Sequence, residues 1–380
     1  MSTVLAPSGQ AALAELPVVP LDRFWSAAAE GPAAAELEPA ASTPLHSYSR
    51  AALPLVQGKS RRRFLEPLAY QAEPVRLYAL PEVAFFGTPG LFASGGRWIP
   101  ESAAHWRQKP PAPPAQMIDE LRSERGKTLL GPDAPVVRLE GPHLLAASLF
   151  ARNYFHWSLD LLAGLGLIAG HRPLKGMKVL VGWKTPLVLD SLAALGVAAE
   201  DVVVLPRDRI AVVDQLVATS LFQSLGPHLH PAAVKQLAAL KRGLAPDAPG
   251  RGGRKLFASR GSGGVRPLVN RSEVEAAFAR RGFEVFDPGA LSFSEQVRLF
   301  SEAAVVVGEH GAALTSLAYV PRGTQVLELM HPAVPGWIVF CFLAICEQVG
   351  ARHHMLTGEQ VDGDSWRLDV GAALQALDAL

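Results

Sequence analysis

The sequence predicts an α/β protein of two Rossmann-like domains facing each other across a cleft, with a strand-rich embellishment toward the N-terminus. Three observations predict it. Short apolar strand runs alternate with helix-length runs in two separate stretches. A connector dominated by Pro and Gly, residues 245–254, divides those stretches. The chain has 380 residues, 49% of them hydrophobic, which suits two domains of ordinary size better than one small core.

Residues 1–70 are rich in Ala, Pro and Glu, and Pro17, Pro20, Pro32, Pro39 and Pro44 punctuate them. They read as a leader or embellishment, partly irregular. The first domain is predicted over 71–244. It opens with strand-and-turn chemistry at 75–80, 83–86 and 91–93, followed by a stiff Pro-rich linker at 110–114. Strand runs return at 136–139 and 144–147, and alternation begins. A helix over 153–169, a strand at 178–181, a helix over 187–195 ended by Gly196, and a strand at 202–205 follow in turn. Extended runs at 210–217 precede a helix over 231–244, with Pro231 at its start.

The second domain is predicted over 255–380. Its strands are 256–259, 283–286, 304–307 running into Gly308, and 325–329. Its helices are 272–281 with Ser272 as N-cap and Gly282 as terminator, 294–303 capped by Ser292 or Ser294, and 337–350.

Charge excludes one class of partner. Lys plus Arg total 36 against 35 for Asp plus Glu, so a net charge of +1 gives no reason to expect nucleic acid. The basic clusters at 61–63 and 251–255 read as solvated loops. Cys341 and Cys346 sit five apart on different faces of one helix, which suits two buried thiols in a reducing compartment better than a disulfide. No signal-peptide pattern opens the chain, and the longest apolar run, 338–346, is too short to span a bilayer. The expectation is a cytoplasmic protein, with peripheral contact at the inner face of the membrane through a partner or an acceptor lipid.

In an open parallel sheet, ligands bind beyond the carboxyl ends of the strands. Three such ends in the second domain carry chemistry. The first ends in Ser259-Arg260, the third in Gly308-Glu309-His310-Gly311-Ala312-Ala313-Leu314, and the fourth in Glu328. Gly308 and Gly311 allow close approach of a ligand to the backbone. A helix starting near Ala312 would turn its free N–H groups and positive dipole end toward a diphosphate. Arg260 and Arg266 could add charge-assisted bonds to phosphate, His310 is a ligand contact or, equally, a satisfied loop histidine, and Glu328 could accept from sugar or ribose hydroxyls. Each feature alone is weak: a Gly-rich turn is usually a turn, and a lone Arg is usually solvated. Their convergence at strand ends raises the odds.

These stretches resemble the core of the family 61 glycosyltransferases. The resemblance rests on Leu256-Phe257-Ala258-Ser259-Arg260, Arg266-Pro267-Leu268-Val269-Asn270, Arg281-Gly282-Phe283-Glu284-Val285 and Leu291-Ser292-Phe293-Ser294-Glu295-Gln296-Val297. It continues through Val307-Gly308-Glu309-His310-Gly311-Ala312-Ala313-Leu314-Thr315 and Val326-Leu327-Glu328-Leu329. In the first domain, 153–160 resembles the family's Asn-aromatic-x-His-Trp-x-x-Asp signature. Two positions depart from the pattern: Ser316 where the family often has Asn, and Arg271 where Glu commonly follows Asn270.

The resemblance implies a GT-B architecture and an inverting, metal-independent transferase with no cofactor. It would move a sugar from a nucleotide-sugar donor, a UDP-sugar first, to a hydroxyl of a glycan or glycolipid in envelope glycan synthesis such as capsule or lipopolysaccharide. The donor belongs to the second domain, the acceptor and base to the first. His156 and Asp160 sit four apart on one helix face, with Asp160 ahead of His156 as base; an equal alternative is a packing and capping cluster with Trp157. Asp362-Gly363-Asp364 imitates a metal-binding Asp-x-Asp but reads as a surface turn. His228, His230 and the His353-His354 pair lack Cys or carboxylate partners at metal-site spacing. The same fold also admits a non-catalytic nucleotide-sugar or polysaccharide binder. A nicotinamide dinucleotide site would need Gly-x-Gly-x-x-Gly, which 261–264 only partly imitates.

Overall fold

The computed structural model describes residues 11–45, 68–99, 101–102, 130–131, 133–223, 229–247, 253–260, 266–334 and 340–380. The chain forms two compact units, Met1–Ala41 with Glu73–Leu225, and Ser42–Ala72 with Gly226–Leu380.

The strands in chain order begin with β1 (Ala33–Glu38), β2 (Ala41–Leu45), β3 (Leu68–Ala72), β4 (Val75–Phe86), β5 (Phe92–Ser94) and β6 (Arg97–Trp98). They continue with β7 (Val136–Ala146), β8 (Lys178–Val181), β9 (Val202–Val204) and β10 (Ile210–Thr219). β2 and β3 pair with each other. The first unit is built on one sheet of order β6-β5-β4-β10-β7-β8-β9, with β1 also on β4. β7, β8 and β9 run parallel to one another, and β10 is parallel to β7 but antiparallel to β4. This sheet is therefore mixed. The strand signals at 75–93 form its antiparallel half, where the sequence predicts a parallel Rossmann-like sheet. The runs 75–80 and 83–86 form a single strand. Pro81 falls where the outer edge of β4 passes from β1 to β5, an edge position that tolerates the missing N–H.

The second unit holds a wholly parallel sheet of β11 (Arg254–Ala258), β12 (Glu284–Phe286), β13 (Ala303–Glu309), β14 (Gln325–Met330) and β15 (Arg352–Thr357), in the order β12-β11-β13-β14-β15. Helices connect the strands, as the alternation predicts. Arg254 anchors the start of β11 by pairing with Glu284 and Glu302. Phe257, Phe278 and Phe283 form a ring cluster under one face, and Trp366 joins the same core from the hairpin of β16 (Glu359–Asp362) and β17 (Ser365–Arg367). Asp362, Gly363 and Asp364 form the exposed turn of that hairpin.

Local signals set the helix ends. Ser292 caps Phe293–Ser301 through a reciprocal box with Glu295, at 3.2 and 2.8 Å. The helix Arg271–Arg280 starts after Asn270 rather than at the predicted Ser272. Asn270 is held from outside, its Oδ1 accepting from the Leu368 N–H and its Nδ2 donating to the Leu368 carbonyl. Gly282, at φ 81°, ends that helix as predicted. The predicted 337–350 helix is Cys341–Val349, with 335–339 outside the described residues, and both cysteines are buried free thiols.

The helix Pro231–Leu244 falls in the second unit, whereas the sequence places it in the first domain. Its apolar face (Ala232, Ala233, Val234, Leu237) is buried, it packs on Phe293–Ser301 and Cys341–Val349, and Arg298 Nε bonds to the Leu244 carbonyl at 3.0 Å. Periodicity shows that a helix has a buried face, not which neighbour covers it. His230 caps this helix; His228, like residues 248–252 of the connector, lies outside the described residues. Among the described residues, no helix is long and apolar enough to cross a membrane.

Candidate active site

In the first unit, the stretch resembling the family signature forms one helical run with an irregular middle. Tyr154–His156 is α-helical, Trp157–Leu162 widens to a π-helix, and Ala163–His171 is α-helical again. Asn153 caps it, its Oδ1 accepting from the Phe155 N–H at 2.9 Å. Trp157 is buried and donates from Nε1 to Ser191 Oγ at 3.0 Å, so it is a packing residue. π-turns are rare inside α-helices and concentrate at functional sites; periodicity in the sequence gives no sign of this one.

His156 Nδ1 lies 2.8 Å from Asp160 Oδ2. The carboxylate is the hidden partner, with its side chain 1% exposed against 20% for the imidazole. Solvent and substrate can meet the imidazole far more readily than the carboxylate. Asp160 thus lies beneath His156, whose ring is the more open of the two. A cavity of about 340 Å³ opens at the carboxyl ends of β7 and β8, lined among others by Ala146, Tyr154, Trp157, Trp183 and Thr185, with Arg152 beside it. The Arg152 and Arg207 guanidiniums lie 4.8 and 5.0 Å from the Trp183 ring centre.

In the second unit, the chain leaves β11 toward β12 on one side and returns to β13 on the other. The crevice beyond β11 and β13 is thus a topological switch point, where open α/β sheets bind ligands. Arg260 and His310 meet there: Arg260 Nη1 donates to the His310 carbonyl at 3.1 Å. Arg271 follows in the next helix, its Nε and Nη2 paired with the Glu309 carboxylate at 2.9 and 3.2 Å. Arg266 stands at φ 66°, a left-handed conformation that is costly without glycine, and its carbonyl accepts from Trp366 Nε1 at 3.1 Å. Burial lowers the pKa of Arg260, the Glu309 carboxylate opposes that, and the charges of Arg266 and Arg271 add to it. Such a cluster of cations favours an anion.

Gly308 sits inside β13, where a Cβ would lie 2.9 Å from Leu314 Cδ2 and 3.3 Å from the Ala258 carbonyl. At Gly311 a Cβ would lie 3.2 Å from Arg260 Nε. Both glycines make room for the protein's own atoms, Gly311 for the guanidinium itself. Ala312 opens a 3₁₀-helix, Ala312–Tyr319, whose first N–H groups have no intrahelical acceptor and are only partly covered. Glu328 is fully buried, with Oε1 bound by His310 Nδ1 and Oε2 by His353 Nε2, the latter at 2.7 Å. Ser316 bonds Gln296 in the core at 3.3 Å, so that departure from the family pattern lies away from the crevice.

Sequence reading misses His353 because its carboxylate partner lies on the neighbouring strand, 25 residues back along the chain. The signal is in the register: Val326 opposes His353 and Gly308 opposes Glu328, so 308, 326, 328 and 353 share one sheet face by alternation. Residues 154–327 match the sequence model of the Glycosyltransferase 61 family. No curated protein matches the chain. By that match, on a fold whose switch point carries the arginine cluster, residues 154–327 are a glycosyltransferase 61 domain.

Proposed function

We propose that this glycosyltransferase moves a sugar from a nucleotide-sugar donor to a hydroxyl acceptor by an inverting, metal-independent mechanism of the GT-B kind. The observation that supports it most is the crevice beyond β11 and β13, where Arg260, Arg266 and Arg271 gather beside the first turn of Ala312–Tyr319. Charge that develops on a departing diphosphate is stabilised there by guanidinium N–H groups and by helix N–H groups. In this reading Arg260 and Arg266 contact the diphosphate, and Ala312 offers backbone N–H. Gly311 keeps the space in which Arg260 lies.

The acceptor hydroxyl is a poor nucleophile until a base takes its proton. His156 takes that role, with Asp160 holding Nδ1 so that the far side of the ring receives the proton. The aromatic-walled cavity beside Arg152 is the acceptor's seat in the first unit. A glycan or glycolipid of an envelope polysaccharide is the acceptor class that the family suggests, and UDP-sugars are the first donors to try.

A thermal-shift screen against nucleoside diphosphates and nucleotide sugars tests the donor assignment. A ligand at 100 times its Kd stabilises by about 2.7 kcal/mol. The best nucleotide sugar is then carried into initial-rate measurements with excess EDTA, where activity should persist. Binding without turnover on any acceptor would favour the non-catalytic binder. Loss of activity on chelation, restored by Mg²⁺ or Mn²⁺, would overturn metal independence.

A further inference from the structure

The buried His310–Glu328–His353 cluster has no counterpart in the chemistry assigned so far. Three successive strands supply it: His310 follows β13, Glu328 lies in β14 and His353 in β15. The shared sheet face aims all three side chains into one place. Glu328 and His353 are fully buried, while His310 is 6% exposed. His310 is thus tied at two points: its backbone carbonyl to Arg260 at the crevice, and its ring Nδ1 to Glu328 beneath.

We propose that Glu328 and His353 are positioning residues, which lock the His310 ring by its Nδ1 so that Nε2–H is presented to the oxygen leaving with the donor diphosphate. This rests on reading the crevice as the diphosphate site. As the reaction proceeds, the bond from the anomeric carbon to the phosphate oxygen breaks and its electron pair stays on that oxygen. The acceptor oxygen bonds to the anomeric carbon and its proton passes to His156. His310 keeps its own proton and strengthens its hydrogen bond as charge builds on the leaving oxygen.

A buried carboxylate without a compensating charge is costly. The helix Cys341–Val349 faces it with Cys341 and Cys346, whose thiols burial pushes well up, so they are neutral. Phe342 meets the His310 ring edge-on at 5.2 Å. Glu309, next in sequence, is paired with Arg271. Burial pushes the Glu328 carboxyl up, but the charge and hydrogen bonds of His310 and His353 more than reverse it, to about 2. The two imidazoles thus hold the Glu328 carboxylate by both of its oxygens.

The test is a double-mutant cycle on kcat with the best nucleotide sugar, read beside the Kd for the matching nucleoside diphosphate. His353→Leu removes the bond to Glu328, and His353→Gln restores one N–H donor. Expected is a fall in kcat of about tenfold for His353→Leu and partial recovery in His353→Gln. Added to His310→Gln, His353→Leu should cost nothing further. Additive losses, no rescue by His353→Gln, or a lowered Tm with unchanged kcat, would overturn the proposal. Glu328→Gln is informative where it folds, and the His353 pair decides where it does not. If no nucleoside diphosphate binds the wild type, or Arg260→Ala leaves its Kd unchanged, the donor reading fails instead.

Discussion

Asp160→Asn separates two roles that differ in size. The carboxylate is 1% exposed and meets His156 Nδ1 at 2.8 Å, so no water replaces it when its charge is removed. A hydrogen bond to a charged group contributes about 1.5–3 kcal/mol, and a neutral one about 0.5–1.5 kcal/mol. The amide keeps the shape and can still accept the Nδ1–H through its carbonyl. The difference, about 1–2 kcal/mol, corresponds to roughly a 5- to 30-fold fall in kcat. His156→Gln removes the proposed base and should cost roughly 10²–10⁴-fold. The assay is the initial rate at saturating donor and acceptor, with Tm and nucleoside diphosphate affinity measured on the same preparations. A fall beyond roughly 10³-fold for Asp160→Asn, with a milder effect at His156, would refute the assignment and make Asp160 the base. Wild-type rates in both variants would remove the dyad from catalysis.

Other perturbations test the second unit and the packing. Arg260→Ala should weaken nucleoside diphosphate binding about tenfold or more by calorimetry, with Tm nearly intact. Gly308→Ala should destabilise by about 1–3 kcal/mol in urea unfolding, because its Cβ would stand 2.9 Å from Leu314 Cδ2. Gly311→Ala should spare stability and raise the nucleotide Kd, since the guanidinium of Arg260 must give way. Glu328 has a folded pKa of about 2 against 4.5 unfolded, so its contribution is complete above about pH 4.5 and is lost as pH falls from there toward 2. The urea midpoint of the wild type should drop through that window more steeply than that of Glu328→Gln. Trp157→Phe should lower the stability by about 1 kcal/mol in urea unfolding, through the lost bond to Ser191.

The second unit was largely legible in the sequence because its contacts follow chain order. Each strand of 254–330 pairs with a neighbour reached by one helical crossover, and the Ser292–Glu295 box and Gly282 mark the helix ends locally. The first unit was less so. β10 inserts between β7 and β4, pairing residues such as Gln215 and Pro81 that no local pattern relates. At the candidate site, Arg260 and His310 were found as strand ends, and their meeting followed from the sheet order. The burial of Glu328 and the role of His353 depend on register across three strands, which strand propensity leaves open. Arg271 looked like a departure from a pattern until its partner Glu309 came into view.

The π segment Trp157–Leu162 amounts to one residue more than a regular helix would need between His156 and Ala163. Deleting a residue there would restore an unbroken ladder of backbone bonds, and by helix propensity alone that should be an improvement. It would also turn everything upstream by about 100° about the axis relative to Ala163–Ile168, which is buried and cannot follow. The aim of the imidazole and the regularity of the backbone are therefore alternatives at this point. Idealising this helix should therefore silence the enzyme and lower its Tm together, since Trp157 to Leu162 are all buried and lose their packing when the turn is re-phased.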